Sequence, residues 1–185
     1  MKFKLCSILI VFNCFGSKLV TARVAGIVGD KIYECEDIPK YNKIESVDYS
    51  NFKIYHENDT HTFLNGSVKF MTGFARLPGR VYTEQYVRGK WIVQLFDRQY
   101  VDMCVAFHSP TEPFFNQTRS FPSCPVMPGT EWKFDMVHIV ADDQLLNSFP
   151  TSLVGLWRMT IILNIFDNGA FKKFCKIVHC DIFED

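Results

Sequence analysis

Apolar and polar residues alternate between positions 156 and 166, as they do in a β-strand that buries one face. One side of such a strand carries five apolar side chains: Trp157, Met159, Ile161, Leu163 and Ile165. The other side carries Arg158, Thr160 and Asn164. This pattern predicts a strand of an antiparallel sheet, with one side against a core and the other toward water.

Two further segments alternate in the same way. The first apolar row is Trp91, Val93 and Leu95, and the second is Trp132, Phe134, Met136 and Val140, with His138 as its polar member. We predict that both rows face the core. A single histidine in an apolar row is expected to be a hydrogen-bonded residue of the core or its rim, because burial requires only a partner.

Turn-forming residues separate the alternating segments. Asn65-Gly66 predicts a hairpin turn, because both central positions of a type I′ turn need positive φ. Residues 77–80, Leu-Pro-Gly-Arg, predict a type II turn. Further turns are expected at Arg88-Gly89, Pro128-Gly129 and 167–169. With seven or eight strands and one short helix within 98–107, the chain is predicted to be all-β, an antiparallel β-sandwich or β-cup.

The first 22 residues have the composition of a secretory signal peptide. Two lysines precede an apolar stretch from Leu5 to Val20, and small residues follow at the expected cleavage position after Ala22. A membrane anchor is the alternative, but the stretch is short and Asn13 and Lys18 interrupt it. We therefore expect a signal peptide, 1–22, and a single secreted domain, 23–185, without a membrane span.

Three sequons support passage through the secretory pathway. They begin at Asn58, Asn65 and Asn116. Attached glycans would keep these positions on the surface, outside any buried interface.

Five cysteines follow the signal peptide: Cys35, Cys104, Cys124, Cys175 and Cys180. In an oxidising compartment we expect disulfides, and an odd number leaves two bridges and one thiol. Cys104 and Cys124 are the expected partners that close the loop containing Asn116. Cys35 is left to pair with Cys175 or with Cys180, and the spacing does not decide between them.

Metal binding and catalysis are the alternatives for the cysteines, and neither fits the spacing. The cluster of Cys175, His179 and Cys180 lacks the spacing of a zinc site, and adjacent strand residues point to opposite faces. Prolines surround Cys124 without a nearby histidine to act as its base. The chain also has no G-x-S-x-G motif. We expect no metal, no cofactor and no enzymatic activity.

The charge balance argues against nucleic acid as a partner. Removal of residues 1–22 takes away Lys2, Lys4 and Lys18, which leaves 17 basic and 20 acidic residues. The basic residues are scattered, apart from the pair Lys172-Lys173, so no basic patch is expected to neutralise phosphates.

Several short motifs, in order, resemble the insect CheB proteins. They are Cys-Pro-x-x-x-Gly at 124–129, the following W-x-F-D-M, Phe149-Pro150, Gly155-x-Trp157-Arg158, and the closing Cys-x-x-x-x-Cys-Asp. The resemblance covers Tyr33 to Cys180 and is densest after Asp102. Through this group the chain is also similar to ganglioside-activator and ML-type lipid-recognition proteins. These are secreted, disulfide-stapled, immunoglobulin-like β-cups that hold a lipid between two sheets.

The resemblance implies an extracellular carrier or co-receptor for lipid or other hydrophobic ligands, in chemosensory or pheromone response. It also implies that Cys35 pairs with a C-terminal cysteine. The residues expected to line the pocket are Trp91, Val93, Leu95, Trp132, Phe134, Trp157, Met159, Ile161 and Leu163. The alternative for each residue is an ordinary place in a filled core.

A protein-interaction module with a solid core is the second hypothesis. Such a domain would be either adhesion-like or an accessory subunit of a membrane receptor or channel, and it would need an apolar surface patch without glycans. The segment 141–152, with Leu145, Leu146 and Phe149, is the candidate patch. The same segment is equally suited to cover a lipid pocket.

Overall fold

The structure is a computed structural model that describes residues 24–36, 47–58, 61–109, 120–139, 151–167 and 169–184. The expected signal peptide, Asn116, Val140 and most of the candidate patch 141–152 lie outside the described residues. The nine strands within the described ranges exceed the seven or eight predicted. They are β1 Val24–Glu34, β2 Val47–Asp48, β3 Lys53–Asn58, β4 His61–Phe70, β5 Gly79–Val87, β6 Lys90–Tyr100, β7 Glu131–Ile139, β8 Gly155–Asp167 and β9 Ala170–Glu184.

The strands form two antiparallel sheets. The larger sheet has the order β1-β9-β8-β5-β6. In the smaller sheet β4 is central, with β7 along one edge and both β2 and β3 along the other. One α-helix, α1 Met103–His108, follows β6. The prediction of an all-β, antiparallel, disulfide-stapled fold with a short helix is confirmed.

The two sheets and α1 share one core. Val81, Leu163 and Ile165 contribute from the larger sheet, and Phe70 and Val68 from the smaller. Met103, Ala106 and Phe107 of α1 complete the same cluster. The sheets therefore pack face to face, and the side chains of each strand alternate between this interior and the outside.

The helix begins later than its spacing suggested, because β6 continues to Tyr100. Asp102 then caps α1, and its carboxylate accepts hydrogen bonds from the backbone N–H groups of Cys104 at 3.0 Å and Leu77 at 3.1 Å. An acidic N-cap satisfies backbone donors that the first helical turn leaves free. The hydrogen bond from Leu77 to the Asp102 carboxylate also fixes the backbone that leads into β5.

The alternation in β8 agrees with the prediction on its apolar side. Trp157, Leu163 and Ile165 are buried, and Met159 and Ile161 pack against the core. The opposite side differs in one respect, because Thr160 is also buried. Thr160 lies in the middle of the sheet between Tyr82 and Ile177, so neighbouring strands cover it.

The prediction that Trp91, Val93 and Leu95 face the core is wrong. Trp91 pairs with Tyr86, and Val93 pairs with Glu84. Glu84 also pairs with Arg158, which lies on the outer face of the sheet. Val93 is therefore 47% exposed. Leu95 lies in a break of the β5–β6 register with φ of +65° and is 42% exposed. Trp91 and Val93 share one side of β6, as the alternation predicts, but that side faces outward.

The Trp132 row is interrupted at Met136. Met136 has φ of +46° at a bulge, where the register between β4 and β7 shifts, and it is 45% exposed. The bulge changes the side on which the following residues lie. His138 consequently pairs with Phe63 and stacks on its ring at 4.7 Å, with His61 at 5.1 Å.

Two predicted turns are wrong, and in both places the glycine has another purpose. Asn65-Gly66 lies inside β4, where Gly66 has φ of +102° and a Cβ would collide with the carbonyl oxygen of Asn51. Residues 77–80 run extended into β5. A Cβ on Gly79 would lie only 2.7 Å from the Ile162 carbonyl oxygen, so the glycine permits close approach of β8.

The other turns follow the prediction. Arg88-Gly89 joins β5 to β6 with positive φ at both residues, +50° and +82°. Gly129 and Gly169 also have positive φ, ahead of β7 and β9. Of the three sequon asparagines, Asn65 is exposed on β4 and Asn58 ends β3.

The structure contains two disulfides. Cys104 pairs with Cys124, as predicted, and Cys35 pairs with Cys175. The second pairing decides between the two alternatives that the sequence left open. Cys180 keeps a free thiol, so it does not belong with the bridged cysteines. Two intramolecular bridges are typical of extracellular proteins.

Candidate ligand-binding site between the sheets

The interior differs in packing between its two ends. We call the end that carries α1 the closed end. Its largest side chains are completely enclosed: Leu77, Met103 and Ile165 are 0% exposed and Val81 is 1% exposed. Burial of this kind leaves no room for a ligand without displacement of the core.

Aromatic rings fill the closed end on the side of the smaller sheet. The Trp132 ring contacts Phe107 at 5.4 Å, Phe121 at 5.0 Å and Phe134 at 4.5 Å. The Trp132 Nε1–H donates a hydrogen bond to Ser120 Oγ at 3.0 Å. Edge-to-face and tilted ring pairs of this type contribute packing energy beyond the area they bury. Trp132 and Phe134 are therefore structural parts of the core wall.

At the opposite end of the interior, which we call the open end, several apolar side chains of the inner faces are less completely buried. Across the larger sheet, Ile32, Val178 and Met159 pair in register on the inner face. Across the smaller sheet, Ile54, Leu64 and Val137 do the same. All six side chains are only partly buried. Apolar side chains on facing sheets that stay partly exposed are the expected lining of a site for an apolar molecule.

A polar contact joins the two sheets beside the open end. The Lys176 ammonium on the inner face of β9 donates to the carboxylate of Glu34 and to the Tyr49 hydroxyl, the latter at 2.7 Å. The Tyr49 hydroxyl also donates to Glu34 at 3.1 Å. Tyr49 follows β2 in the smaller sheet, whereas Lys176 and Glu34 belong to the larger one. This contact holds the sheets together along the β1 and β9 edge.

A short segment before β8 crosses the inner side of the open end. We call residues 151–154 the strap; Thr151–Leu153 form a 3-10 turn and Val154 leads to Gly155. Gln85 Nε2 donates to the carbonyl oxygens of Ser152 and Val154, both at 3.2 Å. Trp157 Nε1 donates to the Leu153 carbonyl oxygen at 2.7 Å. Gln85 and Trp157 are both 4% exposed.

The free thiol lies next to Trp157, the residue whose ring nitrogen binds the strap. Cys180 pairs with Trp157 and therefore shares the inner face with it. Burial raises the pKa of the Cys180 thiol to about 11, so the thiol is protonated at neutral pH. A protonated, half-enclosed thiol behaves as a small apolar group and is a poor nucleophile.

The structure brings together six of the nine residues predicted to line a pocket. Phe134, Trp157 and Leu163 are buried on the inner faces, and Trp132, Met159 and Ile161 are partly buried beside the core. Trp91, Val93 and Leu95 are not part of this group. The sequence analysis missed Ile32, Leu64 and Val178 at the open end. Val178 lies in FCKIVHC, where apolar residues occupy both sides of the strand and the alternation gives no signal.

The outer face of the larger sheet carries a second cluster. His179 stacks on Tyr33 at 4.7 Å and approaches Trp91 at 5.6 Å. The Arg158 guanidinium lies 4.5 Å from the Trp91 ring and donates to Glu84 at 2.6 Å. Burial, and then the charge of Arg158, hold the pKa of His179 below its usual value. The imidazole is therefore neutral near pH 7 and packs as an aromatic ring.

Within the described ranges, no group of three or more His, Cys, Asp or Glu side chains is placed to hold a metal ion. No helix there is long and apolar enough to cross a membrane. No protein-family model matches the chain. No curated protein matches it significantly.

Proposed function

We propose that the chain is a secreted, non-catalytic binding protein for lipids or other hydrophobic ligands, which lie between the two sheets at the open end. The observation that carries this proposal is the difference in burial between the two ends. One core encloses Leu77 and Ile165 completely, yet Val178 and Leu64 on the same inner faces stay partly exposed.

The energetics are sufficient for a lipid chain. Each buried methylene contributes about 0.8 kcal/mol, so a chain of about a dozen carbons gains on the order of 10 kcal/mol before entropic costs. The open end offers aliphatic side chains from both sheets, which suit a flexible acyl chain. The resemblance to insect CheB proteins supports the narrower proposal of a carrier or co-receptor in chemosensory or pheromone response.

Two measurements test the binding function. Protein secreted from eukaryotic cells should carry a co-purifying small molecule, visible as added mass under gentle ionisation. After delipidation it should bind the apolar probe N-phenyl-1-naphthylamine with enhanced fluorescence. Empty protein that also fails to bind the probe would contradict the proposal.

A filling variant locates the site. Val178→Trp places a large ring among the partly buried inner side chains, and we expect it to weaken probe binding at least tenfold because ring and probe compete for the same space. Val93→Trp, on the outer face of the same sheet, is the matched control and should bind normally. Equal binding by both variants would place the ligand elsewhere.

A protein-interaction module is the second candidate, and the outer cluster on the larger sheet favours it. Tyr, Trp and Arg are the residues that most often dominate binding energy at protein interfaces. Tyr33, Trp91 and Arg158 lie together there, and the two sequon asparagines within the described residues, Asn58 and Asn65, lie on the smaller sheet. Crosslinking of an empty protein to a membrane receptor or channel, lost in Trp91→Ala, would support this function over lipid binding.

A further inference from the structure

The strap has the features of a closure over the open end. Three successive carbonyl oxygens, those of Ser152, Leu153 and Val154, each accept a hydrogen bond from a side chain of the larger sheet. The donors, Gln85 and Trp157, point into the interior from the inner face. The strap therefore lies against the inner side of the larger sheet, at the end where several inner side chains are only partly buried.

Side-chain donors of the larger sheet bind the backbone of the strap. Gln85 Nε2 donates to both Ser152 and Val154 at 3.2 Å, which is near the long end of the range for such bonds. Each side-chain hydrogen bond contributes modestly to stability, so the loss of these bonds releases the carbonyl oxygens of the strap at a small cost in free energy.

A glycine stands where the strap joins β8. Gly155 has φ of +130°, a conformation that residues with a Cβ rarely adopt. A Cβ there would have space, since the nearest atom is Gln85 Nε2 at 3.9 Å. Glycine is therefore required here for its backbone conformation and not for lack of space. The positive φ of Gly155 sets the angle at which the strap joins β8.

We propose that the strap is a gate to the interior, that Gln85 and Trp157 hold it closed, and that Gly155 is its hinge. The inference rests on the proposed binding function, because a gate matters only if a ligand passes it. The strap controls the rate at which an apolar ligand enters and leaves. Because it opens equally for both directions, it changes the rates without a comparable change in affinity.

Gln85→Met tests the gate, since methionine keeps the length of glutamine and removes both donors. Gln99→Met is the matched control, because Gln99 is exposed on the outer side of β6. The first readout needs no ligand: the rate at which N-ethylmaleimide labels Cys180, located by peptide mass spectrometry. The second is the association and dissociation rate of N-phenyl-1-naphthylamine by stopped-flow fluorescence.

In Gln85→Met we expect all three rates to rise about tenfold, as the loss of two modest hydrogen bonds implies, while the probe affinity changes less than threefold. Gln99→Met should match the wild type. Unchanged labelling and unchanged probe rates in Gln85→Met would overturn the gate. Faster labelling in a protein that never binds the probe would retain the gate and reject the binding function.

A second variant keeps the test decisive if Gln85→Met does not fold. Gly155→Ala leaves both donors in place and resists the positive φ of the hinge. We expect faster Cys180 labelling and faster probe exchange here too. Rates equal to those of the wild type in a folded Gly155→Ala protein would overturn the role of the hinge.

Discussion

The closed end and the open end are made from the same strands, yet they are packed differently. At the closed end, α1 covers the inner faces of both sheets, and the Cys104–Cys124 bridge holds the helix against the segment before β7. A third element thus fills the space between two sheets. At the open end, Ile32 and Leu64 on the inner faces of the two sheets stay partly exposed.

The difference suggests a division of the interior between stability and the proposed binding site. Two twisted sheets diverge away from their closest contact, and the gap is filled by large side chains, by a helix or by a guest. In this chain a helix and aromatic rings fill one end. The other end carries aliphatic side chains that are only partly buried. If the proposed function is correct, one half of the interior provides stability and the other half provides binding.

Removing the same atoms at the two ends should give the largest contrast. Val81→Ala deletes two methyl groups from a fully enclosed side chain at the closed end, and we expect it to lower the free energy of unfolding by about 2.5 kcal/mol. Val178→Ala makes the same change at the open end, where the side chain is partly exposed, and should cost less than about 1 kcal/mol. Urea denaturation measures both values.

The same pair of variants separates stability from binding. Val178→Ala should alter probe affinity, whereas Val81→Ala should leave it unchanged once the protein is folded. Equal destabilisation by the two substitutions would mean that the two ends are packed alike, and the comparison would fail.

The polar contact between Lys176 and Tyr49 should give an intermediate effect. Tyr49→Phe removes the hydroxyl that accepts from the buried Lys176 ammonium, and a lost hydrogen bond to a charged group costs about 1.5 kcal/mol. Tyr55→Phe is the matched control, because Tyr55 is exposed on β3, and should cost less than about 0.5 kcal/mol. Equal values from urea denaturation would show that this contact does not hold the sheets together.

The sequence predicted the class of fold because period-two alternation and turn glycines depend on neighbouring residues alone. It also predicted the Cys104–Cys124 bridge. The faces of β6 were assigned wrongly, since alternation shows that Trp91 and Val93 share a side but not which side meets the core. That choice depends on the register with β5 and β8, a property of distant residues.

The role of two glycines also depends on distant residues and could not be predicted from the local sequence. Asn-Gly and Pro-Gly pairs are most often found in turns, so the sequence predicts turns at Gly66 and Gly79. In the structure another backbone segment lies close to each glycine: Asn51 approaches Gly66, and Ile162 approaches Gly79. The contrast between the two ends was equally hidden, because Val81 and Val178 are the same residue type in similar strands. What separates them is tertiary packing, because Val81 belongs to the core cluster that includes α1, whereas Val178 stays partly exposed.

The smallest expected effect concerns pH and tests whether the two faces of the open end are independent. His179 lies on the outer face of β9, whereas Val178 and Cys180 lie on the inner face. Tyr33, Trp91 and the Arg158 cation surround its ring, and burial with the Arg158 charge lowers the pKa of His179 in the folded state. The unfolded chain then binds the proton more readily, so stability is fully present above about pH 6.5 and is lost as the pH falls through the folded pKa.

We expect the free energy of unfolding to decline as the pH falls below about 6.5 in the wild type, and to decline less in His179→Phe, which keeps a ring between Tyr33 and Trp91. Urea denaturation at each pH gives the two slopes. Affinity for the neutral probe N-phenyl-1-naphthylamine should stay constant over this range in both proteins, because the proton binds on the face that the ligand does not touch. If the probe affinity changed with the titration of His179, the two faces would act as one site, and the outer cluster would take part in binding.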